Sequence, residues 1–559
     1  MTVIDDFFMH YYARRPVNAT FTGVHAYDDC LPDWSSNGLA AMDDEMRSLG
    51  AALAREYPAP ASAAAFRNGP DLLDAELARG FLEIQRAENA SRHGPRGNPA
   101  LRTGEAVFSI ISLLIRDFAP LEDRLDFVER RANCSGALLG PTLDAGTALP
   151  RAWVDRALRD CEGAQILLGE GFFRRIAALD ASASRRQSLH DAATRAAARF
   201  RTLAQQLESH RKAPDSAMAC GPELFDLLLS RGHFCLRSRA DLLAEVRERF
   251  DAASSELDRM VRVVAGSWED AQLRLAADCP SPDEYLGAFS ETWQACRERA
   301  ESADVVNWPD WPIRYVPFPE WTADAAPYLY YLYYRSPAAF DPYTIYDYVV
   351  PPLPSDPNAA ERHLRVWNHS TIKLNHVVHH GAIGHHVQNW FAYNQQRSRV
   401  GKIAAVDCAN RIGMFCGGTM AEGWACYATD LMEELGFLTP LERVSQQHTR
   451  VRMLARAIVD IELHQATMSF TDAEAFYAER LGMSAEAARA EAVKNSMFPC
   501  TAIMYWLGTQ GIHELRDEMR RREGPRFSLR RFHGELLGYG SIPVPLLART
   551  LTEAPLPAR

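Results

Sequence analysis

The 559-residue sequence has no long apolar run, no paired cysteine motif and no excess of positive charge. No uninterrupted apolar stretch approaches the roughly 20 residues that a helix needs to span a bilayer. Acidic residues outnumber basic ones by 72 to 61, which gives a formal net charge of −11. Nucleic-acid binding is therefore not expected, because affinity for phosphates requires basic patches that release counterions. The sequence predicts no membrane partner either, and it leaves the oligomeric state open.

The cysteines and the first residues of the sequence predict a cytoplasmic protein. The eleven cysteines are scattered and odd in number, and no two form a CxxC pair. This pattern favours reduced thiols over a disulfide framework. The opening MTVIDDFFMH has acids where a secretory signal would carry positive charge.

Helical patterns dominate the chain. Apolar residues recur at three- and four-residue steps in 185–207, 242–264 and 451–468, which is typical of amphipathic helices. Ser484 precedes a run rich in Ala and Glu and is expected to cap a further helix. We expect a mainly α fold with a few short strands. Two lobes are predicted, an N-terminal helical lobe at 1–300 and a metal-site lobe at 301–559, with an approximate boundary. One continuous helical body is the alternative.

One segment interrupts the helical pattern. Residues 307–321 read NWPDWPIRYVPFPEW, and four prolines exclude a continuous helix. The Tyr- and Leu-rich run 328–334 follows, and a DPYTIY segment begins at Asp341. We expect a short strand region with a loop. It serves either as an aromatic connector between lobes or as the wall of a substrate cleft, since Tyr combines an apolar face with a hydroxyl.

Histidines are concentrated in one short stretch. Residues 376–386 read HVVHHGAIGHH and contain five of the 17 histidines, where 11 × 17/559 predicts about 0.3. Neutral imidazole is the commonest metal ligand, and packing alone gives no reason to concentrate it. The sequence therefore predicts a metal site, with a hydrogen-bonded polar cluster or a pH-sensitive patch as the alternative.

Helical geometry allows two different ligand pairs in this cluster. His376 and His380 lie four residues apart, the spacing of HxxxH zinc pairs. His379 and His386 lie seven apart on one helix face but about 10.5 Å apart along the axis. A bend in the helix would be needed to bring the second pair to one metal, and the glycines between them permit one. The spacing does not decide between the pairs.

A third ligand is expected from another helix. Glu422 lies early in a predicted helix that runs to Gly436, a candidate C-cap. Cys426 lies one turn later and is a softer candidate ligand, although a buried structural thiol is the simpler interpretation.

Several motifs in the same order resemble the bacterial family of unknown function DUF885. The segment PVNATFTGVHAYDDCLPDWS near the start matches the family's opening pattern, and VVHHGAIGHHVQ matches its HEayPGHHlQ motif. AEGWACYATDLMEELG matches its EGW motif. Residues from Asp460 to FHGELLGYGSIPVPLL follow the pattern of its C-terminal part. The family is in turn similar to zinc metallopeptidases of the gluzincin kind.

The resemblance implies a large helical metallopeptidase-like fold with the metal deep in a central cleft of the second lobe. It implies that His379 is the first ligand, His385 or His386 the second, and Glu422 the third. It also implies that Tyr505 and His464 line the site as candidate oxyanion donors.

The chain departs from the resembled motif at one chemically important position. Where the family pattern has Glu after the first His, this chain has His380, and Ile383 replaces a Pro. In zincin chemistry that Glu takes a proton from water at the metal and gives it to the leaving amine. His380 either replaces this base or joins His376 as an additional ligand.

The function expected is that of a metal-dependent enzyme that hydrolyses a small amide or peptide-like substrate through water activated by the metal. Zinc is the favoured metal, with iron or a second metal as alternatives. The alternative functions are a repurposed metal enzyme of another class, such as a lyase or an iron-dependent oxidative enzyme, and a non-catalytic relative. The sequence does not identify the substrate.

Overall fold

The structure is a computed structural model, and it describes residues 2–140, 148–329, 334–335, 338–341, 346–395, 397–405 and 412–552. Parts of the predicted aromatic segment, 330–333 and 342–345, lie outside the described residues, as does Cys408. Within the described ranges the chain is mainly α-helical, which confirms the predicted fold class. The deep central cleft stays a prediction.

The α-helices, in chain order, are the following: α1 Val3–Arg14, α2 Pro16–Thr22, α3 Ser36–Glu56, α4 Pro70–Ala90, α5 Pro99–Ile111, α6 Leu121–Cys134, α7 Gly136–Leu139, α8 Arg151–Ile166, α9 Phe172–Ala177, α10 Ala183–Ser209, α11 Pro222–Leu227, α12 Arg239–Val264, α13 Trp268–Ala277, α14 Tyr285–Ser302, α15 Glu320–Ala323, α16 Pro357–Val366, α17 His369–Thr371, α18 His385–Asn394, α19 Arg399–Ile403, α20 Gly418–Glu434, α21 Pro440–His464, α22 Phe470–Leu481, α23 Ala485–Met497, α24 Ile503–Glu523, α25 Leu529–Leu537 and α26 Val544–Thr552. Wider π-helical turns occur at Leu167–Gly171, Leu228–Gly232, Ile372–Gly381 and Gly413–Gly417.

The strands are short and form two small sheets. They are β1 Leu149–Pro150, β2 Lys212–Ala213, β3 Ile313–Pro317, β4 Tyr334–Arg335 and β5 Tyr346–Val350. β1 and β2 pair in parallel, with Leu149 opposite Lys212. The other sheet has the order β3-β5-β4, and β4 and β5 run antiparallel. The proline-rich segment 307–321 thus ends in a strand and a short helix, because its prolines prevent a long helix.

The predicted amphipathic helices are present. The segments 185–207 and 242–264 fall within α10 and α12, and most of 451–468 lies in α21. The Ser484 side chain accepts a hydrogen bond from the Ala487 amide at the start of α23, as a helix cap does. Gly436 has a φ of +72°, the left-handed conformation that favours glycine after a helix C-terminus.

The chain forms two compact units. The first comprises 1–56, 85–220 and 316–352, and the second comprises 57–84, 221–315 and 353–559. Each unit thus draws on several separate segments of sequence. The predicted lobes at 1–300 and 301–559, consecutive in sequence, stay a prediction.

A buried polar network in the first unit involves the opening motif. The His25 imidazole bridges two carboxylates, with 2.8 Å from Nδ1 to Asp28 and 2.8 Å from Nε2 to Asp341. Its ring stacks on Phe118 at 3.9 Å. Burial lowers the pKa of His25, but the hydrogen bonds and charges of both carboxylates outweigh burial and raise this pKa to about 9. The motif residue His25 is therefore a structural ion-pair centre of this unit.

Candidate metal centre

The candidate site lies in the second unit, where a π-helix and a following α-helix are joined by a tight turn. The π-helix Ile372–Gly381 carries His376, His379 and His380, and α18 begins at His385. A Cβ atom at Gly384 would collide with the carbonyl oxygen of His379, so the turn returns against the π-helix only with glycine there. The helix is thus interrupted between the two halves of the histidine cluster.

Three imidazoles converge across this turn. His379, His380 and His385 each offer one nitrogen, and these nitrogens lie within 4.8 Å of one another. The rings of His379 and His385 are 4.9 Å apart and perpendicular. The Nε2 atom of His385 is buried and has no hydrogen-bond partner among the described residues. An unsatisfied buried nitrogen is costly unless a ligand uses its lone pair.

Glu422 on α20 completes the group. Its carboxylate lies 3.5 Å from Nε2 of His379 and 3.8 Å from Nε2 of His385. Burial alone would raise the pKa of Glu422, but the hydrogen bond to His379 and the charges of His385 and His379 lower it to about 2. The side chain therefore stays ionised, as a metal-ligating carboxylate must be.

The pKa values of the histidines differ although all three are close together. Burial lowers the pKa of His379, but Cys426 and Glu422 outweigh burial and raise it to about 10. Burial lowers the pKa of His385 to about 4. Burial, together with the charges of neighbouring histidines, places that of His380 well below 6.5. The raised pKa of His379 thus reflects its contact with Cys426 and its pairing with the Glu422 carboxylate.

Hydrogen bonds fix the orientation of His380 and His379. His380 Nδ1 donates to the Asn375 carbonyl at 2.6 Å, since a carbonyl oxygen only accepts, and the lone pair is therefore on Nε2. The Nδ1 atom of His379 lies 3.9 Å from the Cys426 sulfur. Cys426 thus contacts the opposite side of the His379 ring from Glu422, and this contact is that of an orienting neighbour.

The second histidine of the His-His pair is His385 in this arrangement. His386 is fully buried and its Nε2 lies 2.9 Å from the Trp311 carbonyl oxygen, with its ring 5.8 Å from the Trp311 ring. His376 stacks on Trp367 at 4.1 Å between ring centroids. Neither belongs to the converging group of nitrogens, so the structure does not bring the predicted HxxxH pair to a common centre.

His464 and Tyr505 make other contacts. His464 is fully buried, and its Nε2 lies 2.9 Å from the Asn495 carbonyl oxygen. Tyr505 lies at the start of α24, with the guanidinium of Arg456 5.4 Å from its ring centroid. The role of both residues as oxyanion donors stays a prediction.

Helix α20 also supports the turn, a role that the sequence did not reveal. The indole nitrogen of Trp424 donates to the carbonyl oxygens of Ile383 at 2.9 Å and Gly384 at 3.2 Å. Trp424 is fully buried. The Glu-Gly-Trp motif thus places the carboxylate beside two histidines and holds the backbone that positions one of them.

The start of α24 depends on Asp460. Its carboxylate accepts hydrogen bonds from the backbone amides of Cys500, Ala502 and Ile503 at 2.9–3.0 Å. These amides lie at or just before the first turn of α24, where helical partners are missing. Asp460 therefore acts on the backbone that carries Tyr505.

Comparison with known sequences identifies the family. The profile of the family "Bacterial protein of unknown function (DUF885)" matches residues 16–551. The chain belongs to this family. No curated protein matches the chain.

Two solved structures share the fold of this DUF885 protein. One is a candidate lipoprotein of unknown function from Shewanella oneidensis, with 18% identity, 98% of each chain covered and a TM-score of 0.74. The other is a candidate lipoprotein from Colwellia psychrerythraea, with 16% identity, 98% of this chain and 97% of that chain covered, and a TM-score of 0.70.

These comparisons correct the predicted location. The expectation of a cytoplasmic protein is wrong, because both similar structures are described as candidate lipoproteins. The expectation relied on unpaired cysteines, and the described cysteines are indeed free thiols. Free thiols do not identify a compartment, however, since a helical body of this size is stabilised by its core without disulfides. Among the described residues, no helix has the length and apolar character required to cross a membrane.

Proposed function

We propose that this protein is a metal-dependent hydrolase whose metal is held by His379, His385 and Glu422. The observation that carries the proposal is the convergence of three imidazole nitrogens, two of which lie 3.5 and 3.8 Å from one buried carboxylate. The substrate class that we propose is a small amide or peptide-like molecule.

The donor set fits zinc. Nitrogen and carboxylate ligands at about 2.0–2.2 Å from a tetrahedral ion lie about 3.3 Å from one another. The 3.5 and 3.8 Å distances from Glu422 to the two histidines are close to this value. Two histidines and one glutamate are also the ligands of one class of catalytic zinc site, which keeps a position open for substrate or water. Iron is the alternative metal, because a two-histidine, one-carboxylate set also suits it.

Each side chain has a distinct task in this proposal. When bound, zinc would supply Lewis-acid polarisation of a substrate carbonyl and a lowered pKa for water. Glu422 contributes the negative charge, and Cys426 orients His379 through its second ring nitrogen. His380, whose Nε2 lone pair is aligned by the Asn375 carbonyl, accepts the proton of the attacking water.

The resemblance to gluzincin-like metallopeptidases supports this assignment. In the resembled motif a glutamate stands where this chain has His380, and that glutamate is the general base. A histidine at this position keeps a proton acceptor beside the proposed metal, but its side chain differs from that of glutamate in length and charge. We therefore propose hydrolytic chemistry with an altered base.

A second candidate function follows from the position of His380. Its nitrogen lies within 4.8 Å of those of His379 and His385, close enough for all three to bind one ion after small side-chain movements. With Glu422 this would give four protein ligands, and a closed tetrahedral site is typical of structural zinc. The protein would then be a non-catalytic relative, or an enzyme of another class that uses a metal with more coordination positions, such as an iron-dependent oxidative enzyme or a lyase.

Two variants at position 380 separate these functions. If His380 is the base, His380→Gln keeps the metal and loses hydrolysis by about 10²–10⁴-fold, and His380→Glu restores or increases peptide hydrolysis. If His380 is a ligand, His380→Gln lowers metal content. Elemental analysis and hydrolysis of a panel of short peptides are measured on the same preparations. Wild-type protein that holds metal but cleaves no member of the panel would argue for the second candidate.

We also propose that the protein works outside the cytoplasm. The support is that the two similar structures are described as candidate lipoproteins. Fractionation of the native cells with an antibody against the chain tests this. Recovery in the cytosolic fraction alone would contradict it.

A further inference from the structure

An arginine beside the candidate metal centre has a buried nitrogen that finds no acceptor within the described part of the chain. Helix α21 carries Arg452 and Arg456 one turn apart. Arg456 is paired with Glu491, with 2.7 Å from Nε to the carboxylate. The Nε atom of Arg452, by contrast, is buried and has no hydrogen-bond partner among the described residues. A buried guanidinium nitrogen without an acceptor is unfavourable unless a ligand supplies one.

Arg452 faces the same region as the metal-site helix. Its guanidinium interacts electrostatically with Glu491, with Tyr505 and with Cys426, the last of which contacts His379. Cys426 and Glu422 are one turn apart on α20. Arg452 therefore lies on the side of the centre formed by α20, α21 and α24.

A second cation belongs to the same region. Lys494 on α23 has its ammonium 5.9 Å from the Tyr505 ring centroid, and it interacts electrostatically with Glu422. The Glu491 carboxylate interacts electrostatically with Arg456, Lys494 and Arg452. Because Glu422 faces the histidines, three cations share the one carboxylate of Glu491.

We propose that Arg452, with Lys494 and Tyr505 at its side, binds a carboxylate of the substrate next to the metal centre. The inference rests on the proposed function and adds the substrate class, a peptide-like molecule with a free carboxylate near the hydrolysed amide. The planar guanidinium suits a carboxylate because it donates two parallel hydrogen bonds. Both a terminal α-carboxylate and an acidic side chain offer this chemistry.

The test measures binding rather than turnover. The probes are N-acetyl-alanyl-alanine, its C-terminal amide, and the same amide with a glutamate side chain in place of the second methyl group. Calorimetric titration is performed on protein loaded with zinc and on protein treated with chelator. The variants are Arg452→Gln, Arg452→Lys and the control Arg489→Gln, whose arginine pairs with Glu474 on the exposed surface.

We expect the wild type to bind the free acid, and we expect Arg452→Gln to raise the Kd for this probe by about tenfold or more. The wild type should bind the neutral amide more weakly than the free acid by a similar factor. Arg489→Gln should bind the free acid with the affinity of the wild type. Arg452→Lys keeps the positive charge but lacks the planar guanidinium, so its affinity for the free acid should lie between those of the wild type and Arg452→Gln. This variant also provides the test if Arg452→Gln does not fold. The glutamate-containing amide binds as well as the free acid only if the carboxylate source is a side chain.

Three results would overturn the proposal. They are equal affinity for the free acid, the neutral amide and the acidic amide, an unchanged affinity in Arg452→Gln, and no binding of any probe by the wild type. Metal content is measured in parallel. Arg452-dependent binding by a chain that takes up no metal would refute the proposed hydrolase while leaving the carboxylate site in place. Metal uptake without Arg452-dependent binding would refute the carboxylate site alone.

Discussion

At the scale of single residues, two adjacent histidines have opposite environments. His385 has a buried Nε2 without a hydrogen-bond partner among the described residues, and it lies 3.8 Å from the Glu422 carboxylate. His386 lies against the Trp311 carbonyl and ring. The buried nitrogen of His385 is thus available to the proposed metal, whereas His386 is engaged by Trp311.

This difference predicts separable effects of two neighbouring substitutions. His385→Ala should lose bound metal because its Nε2 faces the Glu422 carboxylate, and as a buried residue it should also destabilise the metal-free protein by leaving a cavity. His386→Ala should keep the metal but destabilise the protein by about 2–4 kcal/mol, because it leaves a cavity beside Trp311. Metal analysis and urea unfolding of chelator-treated protein measure the two effects. Loss of metal in His386→Ala with retention in His385→Ala would reverse the assignment.

A second residue-scale prediction concerns pH and His25. The pKa of His25 in the folded state, about 9, lies above the ordinary histidine value of 6.5. The stabilisation that its ion pairs give the fold is therefore fully present below pH 6.5 and is lost as the pH rises through 9. The groups that face His25 are Asp28, Asp341 and, 3.6 Å from the latter carboxylate, Arg116. We expect the loss to be on the order of 1–3 kcal/mol, allowing for partial exposure. Urea unfolding between pH 6 and 10 should show this slope in the wild type and a flatter one in His25→Gln; parallel slopes would contradict the prediction.

At the scale of elements, the close packing of α20 against α24 positions Glu422, the proposed third ligand. A Cβ atom at Gly423 would lie 2.6 Å from backbone atoms of Gly508, and one at Gly508 would collide with the Thr419 carbonyl. Glu422 precedes Gly423 and Trp424 follows it, so the crossing point fixes both the carboxylate and the indole that holds the turn.

Gly423→Ala should therefore separate the two helices and disturb the site. We expect a loss of about 1–3 kcal/mol in the free energy of unfolding and weaker metal retention, because overpacking forces backbone shifts. The matched control is Gly534→Ala on α25, where a Cβ atom would meet nothing within 4 Å. That control should be neutral or stabilising by up to about 1 kcal/mol, the helix-propensity gain of alanine over glycine. Equal stability of both variants would refute the role of the crossing.

The sequence revealed the elements better than their arrangement. Apolar periodicity located α10 and α12, and Ser484 marked the start of α23, because these signals are local. The choice between His385 and His386 could not be made, since it depends on where the π-helix ends and how the turn folds back. Arg452 was also missed, because the absence of an acceptor for its Nε among the described residues follows from helix packing and not from its neighbours in sequence.

At the scale of the whole molecule, metal binding should stabilise the fold. A ligand that binds only the folded state adds about 2.7 kcal/mol at 100 times its Kd. Zinc should therefore raise the Tm of chelator-treated protein by a few degrees. Glu422→Gln should show a smaller rise or none. A rise that is identical in wild type and Glu422→Gln would indicate zinc binding elsewhere.

The central claim is a metal centre formed by His379, His385 and Glu422, and elemental analysis of the purified full-length chain tests it most directly. The protein is purified without chelators or metal-affinity steps, then incubated with zinc, desalted and analysed beside His385→Ala. We expect close to one equivalent of zinc in the wild type and a marked loss in the variant. No bound metal in the wild type after incubation with zinc, or an unchanged equivalent in His385→Ala, would contradict it.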